Sequence, residues 1–253
     1  MKKIDSTKRF SDRVENYIKY RPSYPSELIS ELKRKGIITD TSVIADIGSG
    51  TGIFTKLLLT TDCLTYAVEP NDEMRYASEK LLSEKTNFRS QKGTAEDTNL
   101  ADNSINLITV AQAFHWFDAE KTRKEFIRIL KEPGYVALIW NTRILKTSFQ
   151  NEYNTFLANH CPEYSSPDHL RYSDEGIENF FKNKVEYFSC ENFQVFNFEG
   201  LKGRVLSSSY ALKEGQEGYE QFIEDLFELY NKYQINNQVK FDYQTDLYYG
   251  RLK

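Results

Sequence analysis

The sequence predicts an α/β fold in which a mostly parallel sheet carries helices on both faces. Short apolar runs alternate with helical patterns through the first part of the chain, as is typical of right-handed βαβ crossovers. A glycine-rich turn, Gly48-Ser49-Gly50-Thr51-Gly52, follows the first apolar run and precedes a helical pattern. Open α/β sheets bind ligands at such turns, beyond the carboxyl ends of their strands. The same residues therefore predict a fold and the place of a ligand.

Five apolar runs are the candidate strands of this sheet. They cover residues 42–47, 64–68, 87–91, 105–110 and 134–140, and helical patterns around 54–59, 72–82 and 119–130 lie between them. Lys131-Glu132-Pro133-Gly134 indicates a stop before the fifth strand. This order predicts parallel strands joined by helical crossovers.

The remaining segments predict a cap and further sheet elements. Residues 1–40 indicate two short helices interrupted by Arg21-Pro22-Ser23-Tyr24-Pro25. Residues 142–182 are polar, aromatic and mostly helical in pattern, and an insertion after the fifth strand can cover a binding crevice. Residues 193–198 and 239–249 alternate with the period of a strand, whereas 218–233 predicts an amphipathic helix.

The composition is that of a soluble globular protein. Apolar residues make up 40% of the chain and charged residues 28%, and the net charge is −4. This acidic balance argues against a general nucleic-acid or membrane-surface binder. Three scattered cysteines without metal-ligand spacing indicate a reducing, cytoplasmic location. The 17 Tyr and 17 Phe fit either core packing or an aromatic-lined pocket.

The spacing of the glycines separates two classes of cofactor. A dinucleotide fingerprint has the form G-x-G-x-x-G, and its third glycine packs helix against strand. Here Gly52 comes one position early, and Ile53 occupies the dinucleotide position. G-x-G-x-G preceded by an acidic residue, here Asp46, resembles the first motif of class I S-adenosylmethionine-dependent methyltransferases. The resemblance implies S-adenosylmethionine as cofactor and S-adenosylhomocysteine as product.

Other segments resemble one subgroup of these enzymes, the type 11 methyltransferase-like proteins similar to yeast trans-aconitate methyltransferase. The similar segments are residues 10–14, Tyr17, Arg21-Pro22, Tyr24-Pro25, 112–117 and 206–210. The resemblance implies a Rossmann-like sheet of seven mostly parallel strands with a helical, aromatic cap. A single domain over 1–253 is then expected, with cap helices in 1–40 and a cofactor-binding core in 41–141. A helical insertion would occupy 142–184, and strands and a helix in 185–253 would complete the sheet.

The resemblance also assigns cofactor contacts. Asp46 would pair with the cofactor's ammonium group or cap the turn, and Glu69 would accept from both ribose hydroxyls. Met74 would lie against adenine or simply fill the core. The loop 93–97 would meet adenine through a backbone N–H and through Glu96 or Asp97, unless it is an ordinary polar loop. The predicted cofactor set is Asp46, Gly48, Ser49, Gly50, Gly52, Glu69, Pro70, Asn71, Met74, Ala95, Glu96 and Gln112, and no metal is expected.

The acceptor side of the site rests on fewer signals. His115 is a candidate general base for a hydroxyl, amine or thiol acceptor, or a residue that orients its loop. A carboxylate acceptor needs no base, so His115 would then only position it. The predicted substrate residues are Tyr17, Tyr20, Arg21, Tyr24, Trp116, Trp140 and Arg143. Their aromatic rings would face the sulfonium or pack in the core, and the arginines would bind an anion or stabilise loops.

The sequence therefore predicts methyl transfer to a small-molecule acceptor such as a carboxylate or a hydroxyl. A dinucleotide-dependent oxidoreductase and a methyltransferase acting on RNA or protein are the alternatives. A binding protein that has kept the fold without the chemistry is a third. Neither a nucleic-acid nor a membrane partner is expected from the charge and hydropathy.

Overall fold

One sheet of seven strands runs through the computed structural model, which describes residues 18–164 and 173–253. The strands are β1 (Val43–Ile47), β2 (Leu64–Val68), β3 (Phe88–Gln91), β4 (Ile105–Ala111), β5 (Leu130–Arg143), β6 (Val185–Phe196) and β7 (Val239–Gly250). Their order is β3-β2-β1-β4-β5-β7-β6. The first five pair in parallel, whereas β7 is antiparallel to both of its neighbours. The predicted seven-stranded, mostly parallel sheet is confirmed.

Helices fill the connections between these strands. They are α1 (Glu27–Arg34), α2 (Ile53–Leu58), α3 (Asp72–Leu82), α4 (Ala119–Ile129), α5 (Ser148–His160), α6 (Asp174–Phe181), α7 (Phe198–Leu206) and α8 (Tyr219–Tyr233). Short 3-10 turns occupy Leu59–Thr61 and Phe114–Trp116. Asn71 and Asp118 accept hydrogen bonds from the first-turn backbone of α3 and α4, so both helices begin soon after a strand end.

The central strand β1 is buried on both faces because helices cover each side of the sheet. Ile44 packs with Leu28 and Phe54 on one face. Ile47 packs with Phe126 on the other face. Both isoleucines are fully shielded from solvent. This two-sided burial explains why the strand has a continuous apolar run instead of alternating polar and apolar residues.

A separate aromatic cluster joins α5 and α8 to β7. The ring of Phe241 lies 4.9 Å from that of Tyr153 and 5.0 Å from that of Phe149, centroid to centroid. Phe156 stacks on Phe222 at 5.0 Å. Much of the chain's aromatic content therefore serves packing in the C-terminal part, where the sequence pattern left packing and pocket as alternatives.

Two predicted strand boundaries are wrong. β5 begins at Leu130, and the predicted stop at 131–134 lies inside it. Ile105 of β4 pairs with Leu130 and Leu107 with Tyr135, so the intervening residues of β5 bulge out of the ladder. β6 begins at Val185, not near residue 193, because an exposed edge strand lacks the apolar signal of a buried one. It ends at Phe196, where Asn197 caps α7 by accepting from Gly200 N.

The segment before α1 crosses the ends of several strands. The carbonyl of Ser23 accepts hydrogen bonds from Asn141 of β5 and Asn192 of β6. Arg21 donates to the carbonyl of Ser207, just beyond α7, at 3.0 Å. Three elements distant in sequence are thereby tied to this segment. The earlier of the two predicted N-terminal helices falls largely outside the described residues, as do Tyr17 and residues 10–14.

Within the described ranges, none of the helices has the length and apolar character required to cross a bilayer.

Removing either of two phenylalanines from α8 tests the packing of the aromatic cluster. Phe222 is 0% exposed and Phe227 is 46% exposed. Phe222→Ala should lower the free energy of unfolding by about 3–5 kcal/mol, because it leaves a cavity in a closed core. Phe227→Ala, the same change on the same helix, should cost about 1 kcal/mol or less. Urea unfolding followed by circular dichroism measures both, and equal losses would contradict the assigned face of α8.

Candidate active site

The carboxyl ends of the parallel strands open on a cavity of about 430 Å³. It runs from the glycine turn after β1 to the ends of β5 and β7 and to α7. The predicted site residues that line it are Arg21, Tyr24, Asp46, Gly48, Ser49, Gly50, Glu69, Pro70, Asn71, Met74, Ala95, Glu96, Gln112, His115, Trp116, Trp140 and Arg143. One cavity thus holds most of the residues that the sequence singles out.

Gly48 lies where the turn after β1 meets the end of β4. Its φ of 68° is left-handed, and a Cβ placed on it would lie 2.7 Å from Cβ of Ala113. The N–H groups of Gly48 and Ser49 both donate to the carbonyl of Val68, at 2.9 and 3.1 Å. A larger residue at position 48 would therefore push the turn away from β4 and change the shape of the cavity.

Gly52 is not among the residues that line the cavity, so its assignment to the cofactor set stays a prediction. It precedes α2 with a φ of 84°, and a Cβ there would lie 2.9 Å from Cδ1 of Leu82. The third glycine therefore lets α2 pack closely against α3.

Glu69, at the end of β2, is buried and fixed by two backbone donors. Its Oε2 accepts from Gly50 N at 2.8 Å, and its Oε1 accepts from Asn71 N at 2.9 Å. Burial raises the pKa of this carboxyl above its ordinary value, although the two N–H groups favour the charged form. A carboxylate has about four acceptor positions, so one remains on each oxygen for a ligand hydroxyl.

Asp46, the next-to-last residue of β1, is a buried carboxylate. It accepts from the hydroxyl of Thr55 on α2 at 2.6 Å and from that of Thr109 on β4 at 2.9 Å. Burial raises its pKa to about 6, against the effect of the two hydroxyls. Asp46 thus ties a strand and a helix to β1 through side chains, and it still borders the cavity.

The loop after β3 contributes Ala95 and Glu96 to the cavity, but not Asp97. Oε1 of Glu96 accepts from the backbone N–H of Asp118 at 2.9 Å, which joins this loop to the start of α4. Met74 is buried and also lines the cavity, so it fills the core and borders the ligand space at once.

The chain after β4 turns sharply toward the cavity. Gln112 has a φ of 57°, a conformation that costs a non-glycine residue roughly 1–3 kcal/mol. Its N–H donates to the carbonyl of Ile139, and its side-chain amide donates to the carbonyl of Asn141 at 2.7 Å. These contacts hold the turn that presents His115 and Trp116 to the cavity, with their rings 4.8 Å apart.

Tyr20 is not among the residues that line the cavity, so its assignment to the substrate set stays a prediction. Its ring packs against α7, where a Cβ on Gly203 would lie 2.0 Å from it. Tyr20 therefore belongs to the aromatic cluster that holds α7 in place.

Sequence reasoning missed a basic and aromatic group at the far end of the cavity. The missed residues are Tyr164, Arg204, Tyr210 and Tyr243, which lie near Arg143. They come from four separate segments of the chain, and no local motif links them. The 206–210 segment was the one signal that pointed near them.

No group of three His, Cys, Asp or Glu side chains that could hold a metal ion occurs among residues 18–164 and 173–253. Polar atoms for an organic ligand are present instead. Ser49 Oγ, Thr51 Oγ1 and Trp140 Nε1 are buried at the cavity without a hydrogen-bond partner in the described chain. Buried polar groups usually have partners, so these atoms fit a ligand with polar groups of its own.

Comparison with known proteins points to one family. Residues 45–138 match the model of a methyltransferase domain. A methyltransferase-like protein from Schizosaccharomyces pombe is 28% identical over 242 residues, which cover 94% of this chain and 93% of the relative. A Saccharomyces cerevisiae protein named as an S-adenosylmethionine-dependent methyltransferase is 28% identical over 48% of this chain and 43% of its own. Matches to further methyltransferases, at 35% and 33% identity, span about half of those chains.

A solved structure shares the fold of this chain. A structure named as a type II methyltransferase from Anaeromyxobacter dehalogenans superposes with a TM-score of 0.68 at 17% identity, covering 92% of this chain and 98% of that one. The family model and the sequence relatives favour the methyltransferase interpretation of the glycine turn over the dinucleotide alternative.

The raised pKa of Asp46 predicts how stability changes with pH. The carboxyl binds its proton more tightly in the folded state, about 6 against an ordinary 3.8, so this stabilising protonation is lost as the pH rises through 6. Relative to Asp46→Asn, the wild-type protein should lose about 2 kcal/mol of unfolding free energy between pH 4 and pH 7. Urea unfolding across this range measures the difference. The exposed Asp40 supplies the control Asp40→Asn, and parallel curves for both variants would contradict the assignment.

Proposed function

We propose that the chain is a class I S-adenosylmethionine-dependent methyltransferase and that it methylates a small-molecule acceptor through a carboxylate or hydroxyl oxygen. The observation that carries this proposal is the single cavity joining the glycine turn to a cap built from the N-terminal segment, β5, β7 and α7. Its volume of about 430 Å³ is in the range of small-molecule sites.

The glycine-turn end of the cavity fits the cofactor. Glu69 is positioned by two backbone N–H groups to accept from ribose hydroxyls, and Asp46 offers a carboxylate near the turn for an ammonium group. The unpartnered hydroxyls of Ser49 and Thr51 are further polar contacts at the same end. S-adenosylmethionine supplies a methyl group made electrophilic by its sulfonium.

The residues after β4 are suited to handle the acceptor. His115 lines the cavity on the turn that Gln112 fixes. The hydrogen bonds that Gln112 donates to the carbonyls of Ile139 and Asn141 therefore help to set the position of His115. For a hydroxyl acceptor, His115 takes the proton as the bond to the methyl group forms. For a carboxylate acceptor, it orients the oxygen by a hydrogen bond. Tyr24, Trp116 and Trp140 provide aromatic faces that favour a cation and exclude water.

A polymer acceptor is a poorer fit to this geometry. Residues of the Arg21–Tyr24 segment line the cavity, and hydrogen bonds attach this segment to β5, β6 and the end of α7, so a fixed stretch of chain borders the acceptor space. The net charge of −4 also disfavours RNA.

Loss of Glu69 should weaken cofactor binding. Glu69→Ala removes the proposed ribose acceptors, so affinity for S-adenosylhomocysteine should fall by at least about tenfold, since hydrogen bonds to a charged group are among the stronger ones. Calorimetry measures the affinity, with Glu84→Ala, an exposed carboxylate beyond α3, as control. Equal affinity for the Glu69 variant and the wild type would count against this pocket as the cofactor site.

Loss of His115 should impair turnover far more than cofactor affinity. For a hydroxyl acceptor, His115→Ala should lower kcat by about 10²- to 10⁴-fold, the usual contribution of a general base. An acceptor found by a metabolite screen for methyl transfer provides the assay, and calorimetry provides the affinity. The control His160→Ala changes a histidine that pairs with Asp225 outside the cavity. Unchanged turnover in the His115 variant would remove this residue from the mechanism.

A further inference from the structure

Two buried arginines line the end of the cavity that lies away from the glycine turn. Arg143 ends β5 and is 9% exposed, and Arg204 lies on α7 and is 8% exposed. Nη1 of Arg143 and Nε of Arg204 are shielded from solvent and have no hydrogen-bond partner in the described chain. A guanidinium nitrogen that is buried and unsatisfied is unfavourable unless a ligand meets it.

The contacts of these arginines are with neutral groups. Nη2 of Arg143 donates to the hydroxyl of Tyr164 at 2.8 Å, and its guanidinium carbon lies 5.0 Å from the ring centroid of Tyr153. Nη1 of Arg204 donates to Oγ of Ser208 at 3.3 Å. Neither arginine forms an ion pair with a carboxylate of the described residues.

The phenols around the arginines do not supply the missing negative charge. Burial raises the pKa of Tyr153 and of Tyr164, and the nearby arginines only partly oppose this effect. Both phenols are therefore neutral near pH 7. Tyr243 lies opposite Arg143 on the neighbouring strand β7, and its hydroxyl donates to the amide oxygen of Gln194.

The carboxylates that line the cavity are distributed unevenly. Asp46, Glu69 and Glu96 lie at the ends of β1 to β3, around the proposed cofactor position. Glu163, next to Tyr164 in the chain, also lines the cavity. Three carboxylates therefore surround the proposed cofactor position, whereas the other end holds two arginines with unsatisfied N–H groups.

We propose that Arg143 and Arg204 form an oxyanion subsite that binds a carboxylate or phosphate group of the methyl acceptor. This inference rests on the proposed function and names a chemical group that the acceptor must carry. Arginine N–H groups match the oxygens of both anions, and the buried position strengthens each contact because water is excluded. The two arginines would act as specificity-determining residues by holding the acceptor at its anionic end. Neither would take part in the transfer itself.

Fragment binding to the wild-type protein is the first test. The protein is saturated with S-adenosylhomocysteine, and its melting temperature is followed with succinate, inorganic phosphate or the neutral succinamide at constant ionic strength. Succinate or phosphate should raise the melting temperature and succinamide should not, because only the anions satisfy the guanidinium groups. The tighter of the two anions identifies the source of the oxyanion. No shift with either anion, or an equal shift with succinamide, would overturn the subsite.

Variants then locate the anion. Arg204→Gln and Arg143→Gln should each weaken binding of the effective anion by at least about tenfold, while affinity for S-adenosylhomocysteine stays unchanged. Arg123→Gln is the matched control, since Arg123 donates to two backbone carbonyls outside the cavity. Arg204→Lys keeps the charge without Nε and should also bind less tightly. Unaltered anion affinity in the arginine variants would refute the oxyanion subsite. Failure of the wild-type protein to bind S-adenosylhomocysteine would instead refute the proposed function.

Discussion

The close approach of the turn after β1 to the end of β4 is the constraint on which the rest of the site depends. Strands β2 and β3 lie on one side of β1, whereas β4 and β5 lie on the other side. The crevice between β1 and β4 therefore opens at the carboxyl ends of these two strands, where open α/β sheets bind ligands. Gly48 has no side chain because Ala113 occupies the space where a Cβ would lie. Gln112 accepts a left-handed backbone so that the next residues turn into the cavity. The left-handed backbone of Gln112 and the absence of a side chain at Gly48 thus both serve the contact between the turn after β1 and the end of β4.

Buried electrostatics reinforce this contact. Asp46 accepts hydrogen bonds from hydroxyl groups on α2 and β4. These bonds tie the elements on both sides of the turn to a single carboxylate with a raised pKa. Glu69 binds the turn itself through Gly50 N. Each acid loses solvation by being buried and regains part of that loss from nearby donors. The acidic end of the cavity is therefore pre-arranged, which reduces the reorganisation that a bound ligand would require.

Local motifs predicted residues that line one end of the cavity, and long-range packing decided the remainder. The turn, Glu69 and the loop with Glu96 each follow a strand, and a parallel sheet brings such positions to one edge. Tyr20 and Gly52 could not be placed in this way, because whether a side chain faces a cavity or a helix depends on packing partners far along the chain. The predicted strand at 193–198 covers only the end of β6, because the exposure of an edge strand removes the apolar signal of its earlier residues. Apart from Arg143, the residues of the arginine end were not predicted, because they come from separate segments of the chain.

The antiparallel strand β7 explains how those segments meet. It inserts between β5 and β6, so that Tyr243 lies opposite Arg143 while the other edge of β7 holds the strand that leads into α7 and Arg204. The cofactor end is built from successive parallel strands and the turns that follow them, which any chain of this fold must have. The opposite end depends on side chains whose positions are set by the C-terminal elements, and these residues can change without disturbing the turn after β1. A shared fold is therefore compatible with different acceptors, and the pair of buried arginines is the feature of this chain that we propose selects among them.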